Sequence, residues 1–225
     1  MGWQLVLSDF TVYCAHRSGS NFLQSLITEN FHKCRAVELS RTDVGWKHSM
    51  YHNTYMSGKQ FCIVMARHPI KWVNSCLRFN ADMWKWWNVN GKEPGGLSFE
   101  YNKTNVSIPK MIARWNSFYN EWLDNADCDF VWYADLLNSD TRESILLDIA
   151  NKNKLTRMNH ASWHIPNKVQ HSDSYTEEKR LSESNLTTNN MLDDKPHIVD
   201  YINHNVDKNL LNRMMELSYE NRGHL

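Results

Sequence analysis

Hydrophobic and polar positions alternate along this chain in a pattern of short buried strands and amphipathic helices. Phe10–Cys14 (FTVYC) is a brief apolar run, as expected of a strand covered on both faces. The small polar run His16-Arg17-Ser18-Gly19-Ser20 ends it. Phe22, Leu23, Leu26 and Ile27 then recur at helical spacing, with Ser20 or Asn21 placed to open the helix. Ala36–Leu39 fits a second strand, Val44–Lys47 is a third candidate, and Phe61–Met65 (FCIVM) is a stronger one. Arg67-His68-Pro69 breaks that strand and leads to a helix over Ile70–Arg78, with the proline in its first turn.

Residues 80–107 show no clear period; with Trp84, Trp86, Trp87 and the turn Pro94-Gly95-Gly96 they read as an excursion from the sheet. Met111, Ile112, Trp115, Phe118, Tyr119 and Trp122 form the apolar face of a helix over Ile108–Leu123. Asp129–Tyr133 (DFVWY) is the next strand, and Thr141–Ala150 the helix after it. The stretch 151–195 is polar, with a short helix near Glu177–Ser182, and helices over Pro196–Asn203 and Val206–Tyr219 close the chain. Alternating strands and helices predict an α/β fold with a mainly parallel central sheet flanked by helices. The simplest organisation is one domain over 1–225, with a core in 10–150 and a helical and loop part in 151–225.

Composition narrows the function classes. The chain has 225 residues, 41% of them hydrophobic, enough for a sizeable core. It holds no apolar run of about eighteen residues, so no membrane span is expected. The opening segment lacks a basic flank followed by an apolar core, so no secretory signal is expected either. Five cysteines without a CxxC pair suit small buried thiols in a reducing, cytoplasmic setting better than a disulfide framework. Residues 1–80 carry nine Lys and Arg against four acids, a local +5 in a chain of net charge zero, which suits a small polyanionic ligand. No extended basic patch points to nucleic acid. The His48/His52 and His160/His164 pairs have helical spacing but no HExxH glutamate, so no metal is expected.

Two loops carry the candidate chemistry. In His16-Arg17-Ser18-Gly19-Ser20-Asn21-Phe22-Leu23, glycine permits a tight turn, successive N–H groups can face one anion, and Arg17 adds a fork of donors. In FCIVMARHPIKWVNSCLRF (61–79) a buried strand delivers Arg67 to its C-terminal edge, where open α/β sheets bind ligands. Ser75 follows eight residues later, about two helical turns on.

Together these segments resemble the sulfotransferase family that uses 3′-phosphoadenosine 5′-phosphosulfate. The first loop is similar to the family's P-K-S-G-T-T-W-L; the second is similar to R-[DN]-P/A-x-x-x-x-x-S, with Arg67 and Ser75 matching in identity and spacing. Gly45-Trp46-Lys47-His48 stands where many members have a K-T-H segment, and Tyr133-Ala134-Asp135-Leu136-Leu137 is similar to Y-E-D-L-L. The resemblance covers residues 10–150. It implies a P-loop NTPase-like fold and a nucleotide co-substrate held by Arg17, Ser18, Gly19, Ser20, Asn21, Phe22, Arg67, Ser75 and Tyr133. It also implies catalysis by His48, Lys47 and Arg17. The loop lysine of the family is Arg17 here, and Lys47-His48 lacks the intervening residue of K-T-H.

The expected chemistry is in-line sulfonyl transfer to a hydroxyl or amine of a small-molecule or carbohydrate acceptor, without a metal. His48 is the expected base, with His52 and Glu38 as alternatives. Trp84, Trp86 and Trp87 suit either a lid over the acceptor or an aromatic anchor. A small-molecule kinase and an inactive nucleotide-binding module are the competing readings. The first lacks a Walker lysine-threonine pair, and the second is motivated by Arg17.

Overall fold

A computed structural model describes residues 8–37, 48–51, 61–78, 87–101, 104–125, 127–166 and 191–217. Four strands form a parallel sheet: β1 (Ser8–Cys14), β2 (Cys34–Ala36), β3 (Phe61–Ala66) and β6 (Asp129–Trp132), in the order β2-β1-β3-β6. The α/β expectation with a mainly parallel sheet flanked by helices therefore holds.

Side chains leave each strand alternately, and both faces are covered. Phe10, Val12 and Cys14 of β1, Ile63 and Met65 of β3, and Val131 of β6 pack against α1 (Ser20–Asn30) and α4 (Ser139–Lys152). On the other face, Tyr13, Cys62, Val64, Ala66, Phe130 and Trp132 meet α2 (Pro69–Leu77) and α3 (Ile108–Asn125). Also on that face are α5 (Pro196–Asn205) and α6 (Lys208–Glu216). Burial on both faces explains why the strands read as continuous apolar runs instead of alternating ones.

Local signals set the helix ends. Pro69 and Pro196 occupy first-turn positions of α2 and α5, where a missing N–H costs nothing. The side chains of Asn138 and Asp207 accept N–H bonds at the starts of α4 and α6. The 80–107 excursion contains a feature the sequence did not suggest. From residue 98 onward it is an antiparallel hairpin, β4 (Ser98–Tyr101) with β5 (Thr104–Ser107), running straight into α3.

One expectation about the cysteines is corrected. Cys62 and Cys128 form a disulfide, with Cα atoms 4.9 Å apart. Ile63 pairs with Asp129 across the β3–β6 ladder, so the preceding residue of each strand falls opposite its counterpart. Topology joins two cysteines that lie 66 residues apart. Cys14, Cys34 and Cys76 are free thiols. No helix among the described residues is long and apolar enough to cross a membrane. The strand expected at 44–47 and the helix expected at 177–182 lie outside the described residues.

Candidate functional site

The strand order fixes where a ligand would sit. From β1 the chain moves outward to β2, then returns to the far side of β1 for β3 and continues to β6. Connections therefore depart in opposite directions above β1 and β3. In open parallel sheets such a switch point leaves a crevice at the C-terminal strand ends. Arg17 follows β1, Arg67 follows β3 and Tyr133 follows β6, so all three arrive at that edge.

They are in contact there. Arg67 Nη1 donates to the Arg17 carbonyl at 3.4 Å, and the Arg67 guanidinium lies over the Tyr133 ring at 4.9 Å. Tyr133 N–H extends the β3–β6 ladder by donating to Ala66 O, which holds the ring beside the first loop. Gly19 takes φ +96°, and a Cβ at that position would collide with Cδ2 and Cε2 of Tyr133. Glycine is needed for both the backbone angle and the close ring. Arg17 also has positive φ, at 65°.

Gly19 caps α1 without a side chain, and the first turn of α1 carries no acid. Phe22 and Leu23 N–H groups donate to Gly19 O. The start of α1 brings the backbone of Ser20 and Asn21, and with it the positive end of the helix dipole, to this edge. Two residues of this loop are committed to its construction. Ser18 is fully buried, with its hydroxyl 3.3 Å from the Tyr119 phenol and its N–H on Ala15 O. Phe22 puts its ring into the core against α4 and β1.

Tyr119 is the hub of the loop. Its hydroxyl donates to Met65 O at 2.9 Å and accepts from Ala15 N–H at 3.2 Å, tying α3 to the ends of both β1 and β3. Burial pushes its phenol far above the usual range, so it stays neutral. The sequence put Tyr119 on the apolar face of its helix and gave no role to the hydroxyl. A tyrosine at a position fit for Phe was the available signal, because a buried phenol needs a partner.

The electrostatics of the edge are cationic. Lys71 is held below its ordinary value by burial and then by the charge of Arg67. His68, which keeps a solvent-open edge, is lowered by desolvation and then by Lys71. Burial pushes the Cys76 thiol up to about 12, opposed by Arg17 and Arg67. Cys76 follows Ser75 in the last turn of α2, and its thiol lies 3.7 Å from His16 O. That turn therefore runs alongside the first loop, within the field of both arginines. The sequence pattern singles out Arg67 and Ser75 but not His68 and Lys71, which become neighbours of the site only when α2 folds back from the strand end.

His48 is buried beside the end of β1, with Nδ1 2.7 Å from Cys14 O and 3.7 Å from the Cys14 thiol. A carbonyl only accepts, so Nδ1 carries the hydrogen. In the neutral ring the basic lone pair is then on Nε2. His16 stacks on His48, and Trp87 meets the edge of His16. Trp87 is thus an anchor of the aromatic cluster with Trp72 and Phe118. Lys47, His52, Glu38, Trp84 and Trp86 lie outside the described residues.

A groove of about 670 Å³ lies elsewhere, along the outer edge of β6 between α4 and α6, and none of the candidate residues line it. Its walls include Phe130, Ile149 and Leu217 without the convergence of cations seen above β1 and β3. For an anionic ligand the cationic edge is therefore the better site. Comparison of the chain with protein-family models, with curated proteins and with solved structures finds no match.

Proposed function

We propose that this protein is a sulfotransferase of P-loop NTPase-like architecture that takes its sulfonyl group from 3′-phosphoadenosine 5′-phosphosulfate. The observation that carries the reading is the convergence of Arg17, Arg67, His68 and Lys71 with the start of α1 at one switch point. Burial first, and then repulsion from neighbouring cations, lowers Lys71 and His68, and a polyanion bound among them relieves the repulsion. Two anion-holding elements side by side suit one nucleotide bearing phosphate at both ends.

In this reading Arg17 and the Gly19, Ser20 and Asn21 N–H groups hold the 5′ end, with Ser18 and Phe22 shaping the loop. Arg67 and Ser75 take the 3′-phosphate, and the Tyr133 ring flanks the adenosine. His48 Nε2 accepts the proton of the acceptor hydroxyl or amine while the new oxygen–sulfur or nitrogen–sulfur bond forms. The bond from sulfur to the 5′-phosphate oxygen breaks, and Arg17, Lys47 and the helix start stabilise the charge left on that phosphate. Positioning and electrostatics supply the catalysis, as in phosphoryl transfer. The acceptor is a small molecule or carbohydrate.

The test is turnover of the labelled donor against a panel of hydroxyl and amine acceptors, with wild type and His48→Gln compared. The reading expects acceptor-dependent release of 3′-phosphoadenosine 5′-phosphate that falls at least about a hundredfold in the variant. Nucleotide binding without any turnover across the panel would leave only a binding module.

A further inference from the structure

The proposed reaction uses one imidazole, but the site holds two. The His16 and His48 rings lie face to face, with centroids 3.8 Å apart and planes 23° from parallel. Each residue is only 8% exposed. The arrangement is fixed from several sides. His16 O accepts from Trp72 Nε1 at 2.6 Å, and the Trp87 ring stands edge-on to His16 at 5.0 Å. His48 is held at Nδ1 by Cys14 O.

Two imidazolium cations cannot share this geometry cheaply, since like charges at stacking distance and partial burial both disfavour the charged form. The surroundings add to the penalty. From β1 comes the Cys14 thiol, and from α2 the Cys76 thiol, kept neutral by burial. From α3 comes the neutral Tyr119 phenol beneath the loop. Arg17 follows His16 directly, Arg67 lies within electrostatic reach of Cys76, and Arg114 sits 5.4 Å over the Trp87 ring. The charged groups among these are all cations.

We infer that His16 is a positioning residue for His48, a stacked partner that fixes the plane of the base and limits the pair to one imidazolium at a time. This rests on the reading of His48 as the base. The acceptor's proton goes to His48 Nε2 while the Nδ1 hydrogen stays on Cys14 O, so His16 must be neutral at that moment. Protonation of His16 before the reaction therefore lowers the basicity of His48 by the coupling between the two rings.

The experiment is histidine-selective long-range proton–nitrogen NMR on the full chain between about pH 4 and 9. Wild type, His16→Phe and His48→Phe are compared; each replacement keeps a ring in the stack. Coupling makes the two wild-type midpoints sum to at least about one unit less than the midpoints of the two single-histidine variants. That deficit is a tenfold or greater penalty on the second proton. Equal sums overturn the inference. His16→Leu and His48→Leu yield the same comparison if a phenyl ring is not accommodated. The midpoints do not depend on turnover. A deficit without sulfonyl transfer overturns the proposed function but not the pair; equal sums with transfer intact overturn the pair and spare the function.

Discussion

Replacing Gly19 with alanine tests the architecture of the first loop at its tightest point. Two costs add. The backbone sits at φ +96°, where an L side chain is strained by about 1–2 kcal/mol. The new methyl also collides with the edge of Tyr133, and Met65 Cε at 3.2 Å blocks an easy sidestep. Moving the ring off its rotamer costs about 0.5–1.5 kcal/mol. Losing its contact with Arg67 costs about 0.5–1 kcal/mol more. The expected destabilisation is about 2–4 kcal/mol. Gly95 is the internal control, because it has φ +67° with nothing within 4 Å of an added methyl, so Gly95→Ala carries only the backbone cost of about 1 kcal/mol. Urea denaturation of both variants measures the difference. Repeating Gly19→Ala in a Tyr133→Ala background removes the obstacle and should reduce its cost to that of Gly95→Ala. Equal costs for the two glycines, or a Gly19 cost unchanged by Tyr133→Ala, would show that the Tyr133 ring does not crowd Gly19.

Other consequences can be checked with the same tools. Tyr119→Phe strands Ala15 N–H and Met65 O in the interior, at about 1–3 kcal/mol for each unsatisfied group. A change within about 0.5 kcal/mol would show that the hydroxyl is not the hub. Reduction of Cys62–Cys128 releases a loop of 66 residues and should destabilise the fold by about 4 kcal/mol on chain-entropy grounds. An unchanged urea midpoint after reduction contradicts the pairing. His68 has a lowered folded-state pKa, so the unfolded chain binds its proton first. Its contribution to stability is complete above about pH 6.5 and is lost as pH falls through the lower folded value. His68→Asn should therefore flatten the decline in urea midpoint between about pH 8 and 5.5; an identical slope in the variant contradicts the assignment.

What the sequence revealed depended on the length and regularity of each signal. Phe10–Cys14, Phe61–Met65 and the apolar face from Met111 to Trp122 were legible because burial imposes long, consistent patterns on doubly covered strands and core helices. Their structural counterparts differ by a residue or two at the ends. The β4–β5 hairpin escaped because each strand is four residues long, and only Phe99 and Val106 supply inward apolar positions opposite one another. Such a pair leaves almost no period to detect. The Cys62–Cys128 pairing escaped for a different reason, since it depends on β3 lying beside β6. Within the site, Arg67 was readable because it follows a strand, whereas His16 stood out only as part of a polar loop. Its contact with His48 joins residues 16 and 48 through tertiary structure alone.

The proposed reaction requires that Arg67 and Ser75, at and beyond the end of β3, bind a 3′-phosphate. Calorimetric titration of 3′-phosphoadenosine 5′-phosphate and of ADP into wild type and Arg67→Ala tests it most directly. Tighter binding of the bisphosphate by wild type is expected, with a selective loss of about 1.5–3 kcal/mol for that ligand in the variant, as for a hydrogen bond to a charged group. Equal affinities in wild type, or equal losses for both nucleotides in the variant, would contradict it.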